Sequence, residues 1–298
     1  MMHLCMAVLS PSPPAMCAWI STLFSTSRPA HHPHRSLHRY AQIISAIDRG
    51  FSSGGRDGKH WVLDPVDGTF GFVKGDQYAI ALALVDGGEV VAGVLGLPNM
   101  PVRGEVLDQD DSYTYGYTPA QVSKLLAASS SDWHRGCLLY AARGEGAWQE
   151  PIDPAKRQKP QQMSVSASSN MGHAKFCEPV LKSNSFQDFS ASVASAMGIQ
   201  SKPLRVFSQA KYGSVARGDA EVFMKFPSAG YREKVWDHAA GAVVVEEAGG
   251  VVCDASGRSL NLSGRYIDDL DRGIVACASN VKDTLLEAIS SSWASSSL

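Results

Sequence analysis

Residues 61–69 read WVLDPVDGT, which places Asp64 and Asp67 three positions apart where an apolar run ends. Two carboxylates held that close repel each other unless something positive lies between them. Pro65 keeps the chain extended and Asp67-Gly68-Thr69 opens a turn, so both carboxylates and the Val66 carbonyl can be aimed at one point. Hard oxygen ligands around one point suit Mg²⁺. Two such ions a few Å apart can clamp the attacking and the leaving oxygen of a phosphoryl transfer. By itself a D-x-x-D at a strand end is more often a solvated turn, so the metal reading needs a further ligand from elsewhere in the chain.

The candidate is Asp237 in YREKVWDHAAGAVVVEEAGG, residues 231–250. The sequence predicts a helix over 237–250, with Asp237 at its N-terminus. An Asp there can simply cap the helix and complement its dipole, and the same free N–H groups make a phosphate site. Ala239, Ala240 and Gly241 allow this first turn to be packed closely against another element, with Trp236 as its anchor in the core. Glu246 and Glu247 lie two to three turns further on and are excluded from the same ion.

These residues need elements to position them. HWVLD reads as a short buried strand ending at Asp64. The apolar runs within 78–98, split by Asp86-Gly87-Gly88, read as an antiparallel hairpin. Residues 104–134 are polar and read as an insertion loop with a short helix at 119–127. Residues 136–148 form another strand pair, and the charged, proline-bearing stretch 151–162 marks a domain boundary. Phe186, Phe189, Val193 and Met197 recur at helical spacing and stop at Gly198. AEVFMKF (220–226) is strand-like, and GVVCDASGRSLNL reads as strand, turn, strand. GIVACAS is a strand, followed by a closing helix capped by Ser279 or Asn280. No internal repeat is visible. The mixed order of strands and helices suggests a layered α/β or α+β fold.

Composition sets bounds. Hydrophobic residues make up 44% of the 298 and charged residues 19%, as in ordinary soluble globular proteins. A net charge of −2 gives no basic footprint for a nucleic-acid polymer, and no apolar run reaches the ~18–20 residues of a membrane span. The cysteines at 5, 17, 137, 177, 253 and 277 form no C-x-x-C pair and read as buried or incidental thiols. Residues 1–45 stand apart, rich in Ser, Pro and His, with no acidic residue. That composition resembles a transit peptide or the opening of an atypical gene product. Localisation is then cytoplasmic, or plastid or mitochondrial if the segment is a transit peptide. The organisation expected is an atypical, disordered or transit-like segment at 1–45, an α/β subdomain at 46–160 carrying D-P-V-D-G-T, and a second at 161–298 carrying W-D-H-A-A-G.

D-P-V-D-G-T followed far downstream by W-D-H-A-A-G resembles the inositol monophosphatase superfamily of Mg²⁺-dependent, lithium-sensitive phosphatases. SQAKYG and REK-x-WDH bring the chain closest to its plant-type 3'(2'),5'-bisphosphate nucleotidases, over residues from about 45 to the C-terminus. The resemblance implies an α-β-α-β-α sandwich of the sugar-phosphatase type, here lacking its first helices. It makes Asp64 the carboxylate bridging both metals, Val66 a backbone ligand of the first, and Asp67 and Asp237 ligands of the second. Thr69 would orient the attacking water and contact phosphate. Ser208 and Lys211 would contact the nucleotide, together with Asp237 and Lys225, where relatives usually carry Arg. The implied reaction is removal of the 3'-phosphate from 3'-phosphoadenosine 5'-phosphate to leave AMP. 3'-Phosphoadenosine 5'-phosphosulfate is a second candidate substrate, and inositol 1,4-bisphosphate a weaker one. The protein is expected to be a monomer without a membrane or nucleic-acid partner.

Two departures weigh against full activity. The family places a Glu-Glu hairpin and a D-x-S-P-V-T-x-A-D segment before the first motif, whereas no glutamate precedes Asp64 here. A metal ligand and the carboxylate partner of Thr69 are therefore expected to be absent, and activity to be impaired. Asn184 stands near the position of a base-contacting His. The rival readings are an inositol phosphate phosphatase and a catalytically defective nucleotide-binding relative. An apolar face left without its helices is expected to be poorly soluble or covered by a partner.

Overall fold

A computed structural model describes residues 6–7, 48, 50–101, 135–153, 155, 159–182 and 185–295. The expectations for 104–134, for the helix at 119–127 and for Asn184 lie outside these residues, as does nearly all of 1–45.

The first half is an antiparallel meander. Strands β1 (Met6–Ala7), β2 (Lys59–Asp67), β3 (Ala79–Asp86), β4 (Glu89–Pro101), β5 (Arg135–Ala142), β6 (Ala147–Pro151) and β7 (Gln161–Met163) lie side by side in chain order in one seven-stranded sheet. The β3–β4 hairpin pairs Asp86 with Glu89. Gly87 and Gly88 take φ values of 59° and 89°, which the two-residue turn demands and side chains resist. Residues of β3 alternate strictly, with Ala79, Ala81, Ala83 and Val85 buried. On the opposite face Ile80, Leu82 and Leu84 remain partly exposed. Within the opening segment, Met6–Ala7 pairs with Trp61 and Val62 of β2.

The second half builds a five-stranded sheet in the order β11 (Gly250–Asp254), β12 (Ile274–Ala278), β10 (Val222–Lys225), β8 (Phe176–Glu178), β9 (Leu204–Arg205). Five α-helices complete the described residues: α1 (Thr69–Lys74), α2 (Gln187–Ala196), α3 (Ala210–Ala216), α4 (Ala239–Glu247) and α5 (Lys282–Ser295). Helices α3 and α4 pack on each other and fill the space between the sheets, α4 lying on β4 and β11 and α3 on β10 and β12. Ala239–Val245 are all buried, as a helix enclosed on every side requires. Helices α2 and α5 cover the far face of the small sheet, where Phe189, Val193, Met224, Phe226 and Leu285 make a second core. Among the described residues the layers thus run sheet, helices, sheet, helices, a layered α/β sandwich.

Several boundaries differ from the sequence reading. Strand β2 does not stop at Asp64 but runs to Asp67, with a register shift between the two aspartates. Helix α4 starts at Ala239 and is preceded by a 3₁₀ turn, Val235–Asp237. Residues 258–262 form no strand, because Asp254 captures the turn. Its Oδ1 accepts from the Ser256 and Arg258 backbone N–H groups at 2.9 Å, and Oδ2 takes the Arg258 guanidinium at 2.8 Å. Neither Ser279 nor Asn280 caps α5. Ser279 donates its hydroxyl to the Gly249 carbonyl and Asn280 its amide to the Ser168 carbonyl. Phe186 is 41% exposed rather than core. Cys137, Cys177, Cys253 and Cys277 are free and buried as expected, and burial pushes their thiols up to about 11 or 12. No described helix is long and apolar enough to cross a membrane.

The approach of α4 to the large sheet depends on Gly93 of β4. A Cβ there would meet Val243 Cγ1 at 2.5 Å and the Ala240 carbonyl at 2.8 Å. Gly93→Ala is expected to destabilise the protein by about 1–3 kcal/mol. Gly264→Ala, with its nearest neighbour at 3.7 Å, should stay within about 0.5 kcal/mol. Denaturant titration of both variants tests this.

Candidate active site

The site forms where the end of β2 meets the second half of the chain. The irregularity between Asp64 and Asp67 lets two residues of one strand present carboxylates to the same side. The Val66 N–H donates to Asp64 Oδ1 at 3.0 Å, and the Gln209 N–H donates to Asp67 Oδ2 at 2.5 Å. Gln209 also fixes the third carboxylate's turn. Its Nε2 donates to the Trp236 carbonyl at 2.8 Å, and its Oε1 accepts from the Gly241 N–H at 2.9 Å. The Asp237 side chain makes no capping hydrogen bond, so the expected capping role is not the one it plays. Trp236 is buried, as expected, with the Arg265 guanidinium 5.2 Å from its ring centroid. Close approach at Gly241 completes the placement, since a Cβ there would fall 2.5 Å from the Tyr212 ring of α3.

As a result, one carboxylate oxygen from each of Asp64, Asp67 and Asp237 lies within 4.8 Å of the others. Burial, followed by the charges of Asp67 and Asp237, pushes Asp64 up to about 8. Burial and Asp237 push Asp67 up to about 7, against the pull of the Lys211 ammonium and the Gln209 N–H. An all-oxygen set that must otherwise hold protons fits a hard divalent cation. The Val66 carbonyl accepts from the Thr69 hydroxyl at 3.3 Å. Among the described residues Thr69 has no carboxylate partner.

Asp67, Thr69, Ser208, Lys211, Lys225 and Asp237 all line one cavity of about 260 Å³. Asp64 is not among the lining residues and joins the site through the carboxylate cluster it forms with Asp67 and Asp237. Lys211 Nζ donates to the Val206 carbonyl at 3.1 Å and the Ser208 carbonyl at 2.5 Å. Burial brings its ammonium down to about 8, against the opposing charge of Asp67. Ser208 holds a left-handed φ of 64°, an uncommon conformation for a side-chain-bearing residue, and its Oγ accepts from the Ala210 N–H at 3.2 Å.

Four residues escaped the sequence reading: Gln209, Tyr212, Glu233 and His238. Glu233 accepts from Lys225 Nζ at 2.6 Å and pairs with His238 Nε2 at 2.9 Å, while His238 Nδ1 faces the Tyr212 hydroxyl at 2.7 Å. Burial alone would raise the Glu233 carboxyl, but His238 and Lys225 outweigh it and hold it at about 2. The quoted words SQAKYG and REK-x-WDH contain all four, but their spacing carries no sign of mutual contact. Glu246 and Glu247 stay outside the carboxylate cluster and clamp the β5–β6 turn. Glu246 pairs with Arg143 at 2.5 Å, and Glu247 accepts from the Gly144 and Gly146 N–H groups at 3.0 Å.

The family model for the inositol monophosphatase family matches residues 38–294. The chain belongs to that family. It is 50% identical over 262 residues to the 3',5'-bisphosphate nucleotidase AHL of Arabidopsis thaliana, covering 87% of this chain and 68% of the relative. It is 46% identical over 248 residues to a 3'(2'),5'-bisphosphate nucleotidase of Oryza sativa, covering 83% of this chain and 63% of the relative. The chain thus spans about two thirds of the length of these relatives. Among solved structures, the Thermotoga maritima IMPase aligns with a TM-score of 0.53 at 22% identity, over 86% of this chain and 82% of that one. A 2'AMP-bound SaIMPase-II aligns with a TM-score of 0.53 at 20% identity, over 86% and 83%. At these identities the two structures speak for the fold alone, and they support the layered sandwich this family member adopts.

The carboxylate cluster gives metal-free protein a specific pH dependence. The folded values of about 8 for Asp64 and about 7 for Asp67 stand above the ordinary 3.8. Between about pH 4 and pH 8 the folded state therefore keeps protons that the unfolded chain has released, so stability falls as pH rises and levels off above about 8. Melts of chelator-treated protein should show this fall, Asp64→Asn should flatten it, and a divalent cation should raise Tm most at the alkaline end. A Tm independent of pH would show that the three carboxylates do not share a site.

Proposed function

We propose that this chain is a Mg²⁺-dependent phosphatase that removes the 3'-phosphate from 3'-phosphoadenosine 5'-phosphate, leaving AMP and inorganic phosphate. 3'-Phosphoadenosine 5'-phosphosulfate is a second substrate of the same kind. The observation that carries the reading is the convergence of Asp64, Asp67 and Asp237 within 4.8 Å beside a cavity that also holds two lysine side chains. The relatives named above as bisphosphate nucleotidases support the choice of substrate.

Asp64, Asp67, Asp237 and the Val66 carbonyl are the groups that would hold the metal. When bound, Mg²⁺ supplies a Lewis acid for the phosphoryl oxygens and lowers the pKa of water. The remaining work falls to the chain. Lys211 and Lys225 offset the charge of a substrate with two phosphates, in a partly desolvated cavity where each interaction is stronger than in water. Thr69 places a hydroxyl beside the Val66 carbonyl, on the cavity wall at the N-terminal turn of α1, where it can orient the incoming water. The water oxygen bonds to phosphorus, the P–O3' bond breaks, and the departing O3' is protonated.

An apolar stretch of the cavity wall, Pro179, Val180, Leu181 and Pro227, with the Tyr231 ring nearby, favours a nucleobase over a polyol. An inositol ring would leave hydroxyls facing groups that cannot bond them. Activity is proposed to be low. The Thr69 hydroxyl faces only the Val66 carbonyl among the described residues, and absent general-base assistance costs ~10²–10⁴-fold in rate.

Phosphate release from 3'-phosphoadenosine 5'-phosphate is expected to need Mg²⁺, to stop with chelator and to fall at least about 100-fold in Asp64→Asn. Release that survives Asp64→Asn would place the chemistry elsewhere. Release from inositol phosphates alone would favour that rival, and binding without any release would make the chain a nucleotide-binding relative.

A further inference from the structure

Glu233 does not line the cavity, yet it touches two groups that do. Its carboxylate is 0% exposed. One oxygen, Oε2, meets Lys225 Nζ at 2.6 Å and His238 Nε2 at 2.9 Å. The other, Oε1, is sealed from solvent without a hydrogen-bond partner. Leaving a carboxylate oxygen buried and unpaired is unfavourable. The arrangement nonetheless keeps a single anion fixed between Lys225 and His238. Lys225 needs such an anchor, because an ammonium on a four-carbon stem has many rotamers and no preferred direction of its own. The Tyr231 ring lies 5.7 Å from Nζ and is half exposed, and the Asp237 charge also acts on the ammonium without a hydrogen bond to it. Lys211 contrasts with it, being held by two backbone carbonyls. On the other side, His238 is pinned between Glu233 and the Tyr212 hydroxyl, next to Asp237.

We propose that Glu233 is a positioning residue, which holds the Lys225 ammonium where it meets a phosphate of the bound nucleotide. Substrate affinity, rather than the rate of the chemical step, depends on it. The proposal rests on the phosphatase reading above for the identity of the ligand. Two plainer roles give different signs. A carboxylate that only neutralised charge would, once removed, leave the cavity more positive and tighten anion binding. One that only stabilised the fold would lower Tm and leave Kd unchanged.

The test is calorimetric titration of 3'-phosphoadenosine 5'-phosphate into the full chain with Ca²⁺ replacing Mg²⁺. Ca²⁺ neutralises the carboxylates but adopts looser coordination, and a phosphate assay run alongside checks for turnover. Wild type, Glu233→Gln, Lys225→Met and the double variant are compared. Kd is expected to rise about tenfold in Glu233→Gln, and similarly in Lys225→Met. The double variant should bind no more weakly than Lys225→Met alone, the mark of two residues acting as one. With Mg²⁺, KM should follow Kd while kcat stays within about threefold. The double variant removes both charges together and leaves no orphaned buried ion, so its comparison with Lys225→Met holds even if Glu233→Gln melts early. Unchanged or tighter binding in Glu233→Gln, or additive losses in the double variant, would overturn the proposal. Wild type that binds but does not hydrolyse would remove the phosphatase reading alone. Wild type that does not bind would overturn both.

Discussion

Three carboxylates whose oxygens lie within 4.8 Å of one another repel, and the rest of the molecule is arranged to hold them there. Asp64 and Asp67 are forced together by a register shift in β2. Asp237 is brought to them by the 3₁₀ turn before α4. Gln209 ties the two halves, because its backbone N–H reaches Asp67 while its side chain grips the Trp236 carbonyl and the Gly241 N–H. Burial first, and then the neighbouring carboxylates, raise the carboxyl values of Asp64 and Asp67, and a cation would relieve the repulsive part. Any cation that bound the folded cluster and not the open chain would thereby stabilise the fold.

Small residues make the close approach possible. At Gly93 the helix α4 comes against β4, and at Gly241 it comes against Tyr212, at distances that leave no room for a methyl group. The layer of helices between the two sheets is therefore thin and tightly located, and the turn carrying Asp237 inherits that precision. Catalytic geometry here is a product of packing, with the close-packed interior transmitting position from one sheet to the other.

The positive side of the site is built in two ways. Lys211 is fixed by two backbone carbonyls, while its burial lowers its affinity for its proton. Lys225 is held by the Glu233 carboxylate, and against burial the charges of Glu233 and Asp237 together raise its affinity for the proton. The Glu233–His238–Tyr212 chain behind Lys225 gives the wall between Asp237 and α3 a defined polar structure. The same cavity is also lined by Pro179, Val180, Leu181 and Pro227, so it offers both charged and apolar surface.

Local features were legible in the sequence. The β3–β4 hairpin followed from Asp86-Gly87-Gly88 between apolar runs, and α2 from the spacing of Phe189, Val193 and Met197, because turn chemistry and periodicity act over a few residues. The D-P-V-D-G-T and W-D-H-A-A-G words also pointed, by their resemblance to a family, to the three carboxylates that converge. Where side-chain competition decided the outcome, the sequence misled. Asp254 captured its own turn and abolished an expected strand, and Ser279 spent its hydroxyl on Gly249 instead of capping α5. Only the tertiary structure decided that Asp237 is free of capping, that Gln209 reaches Asp67 across 142 positions, and that Glu233 serves Lys225 and His238 at once. The physical reason is range. Hydrogen bonds and charges act over a few ångströms in space, and the distances that matter at this site are set by how two sheets and the helices between them pack, which no local stretch of sequence records.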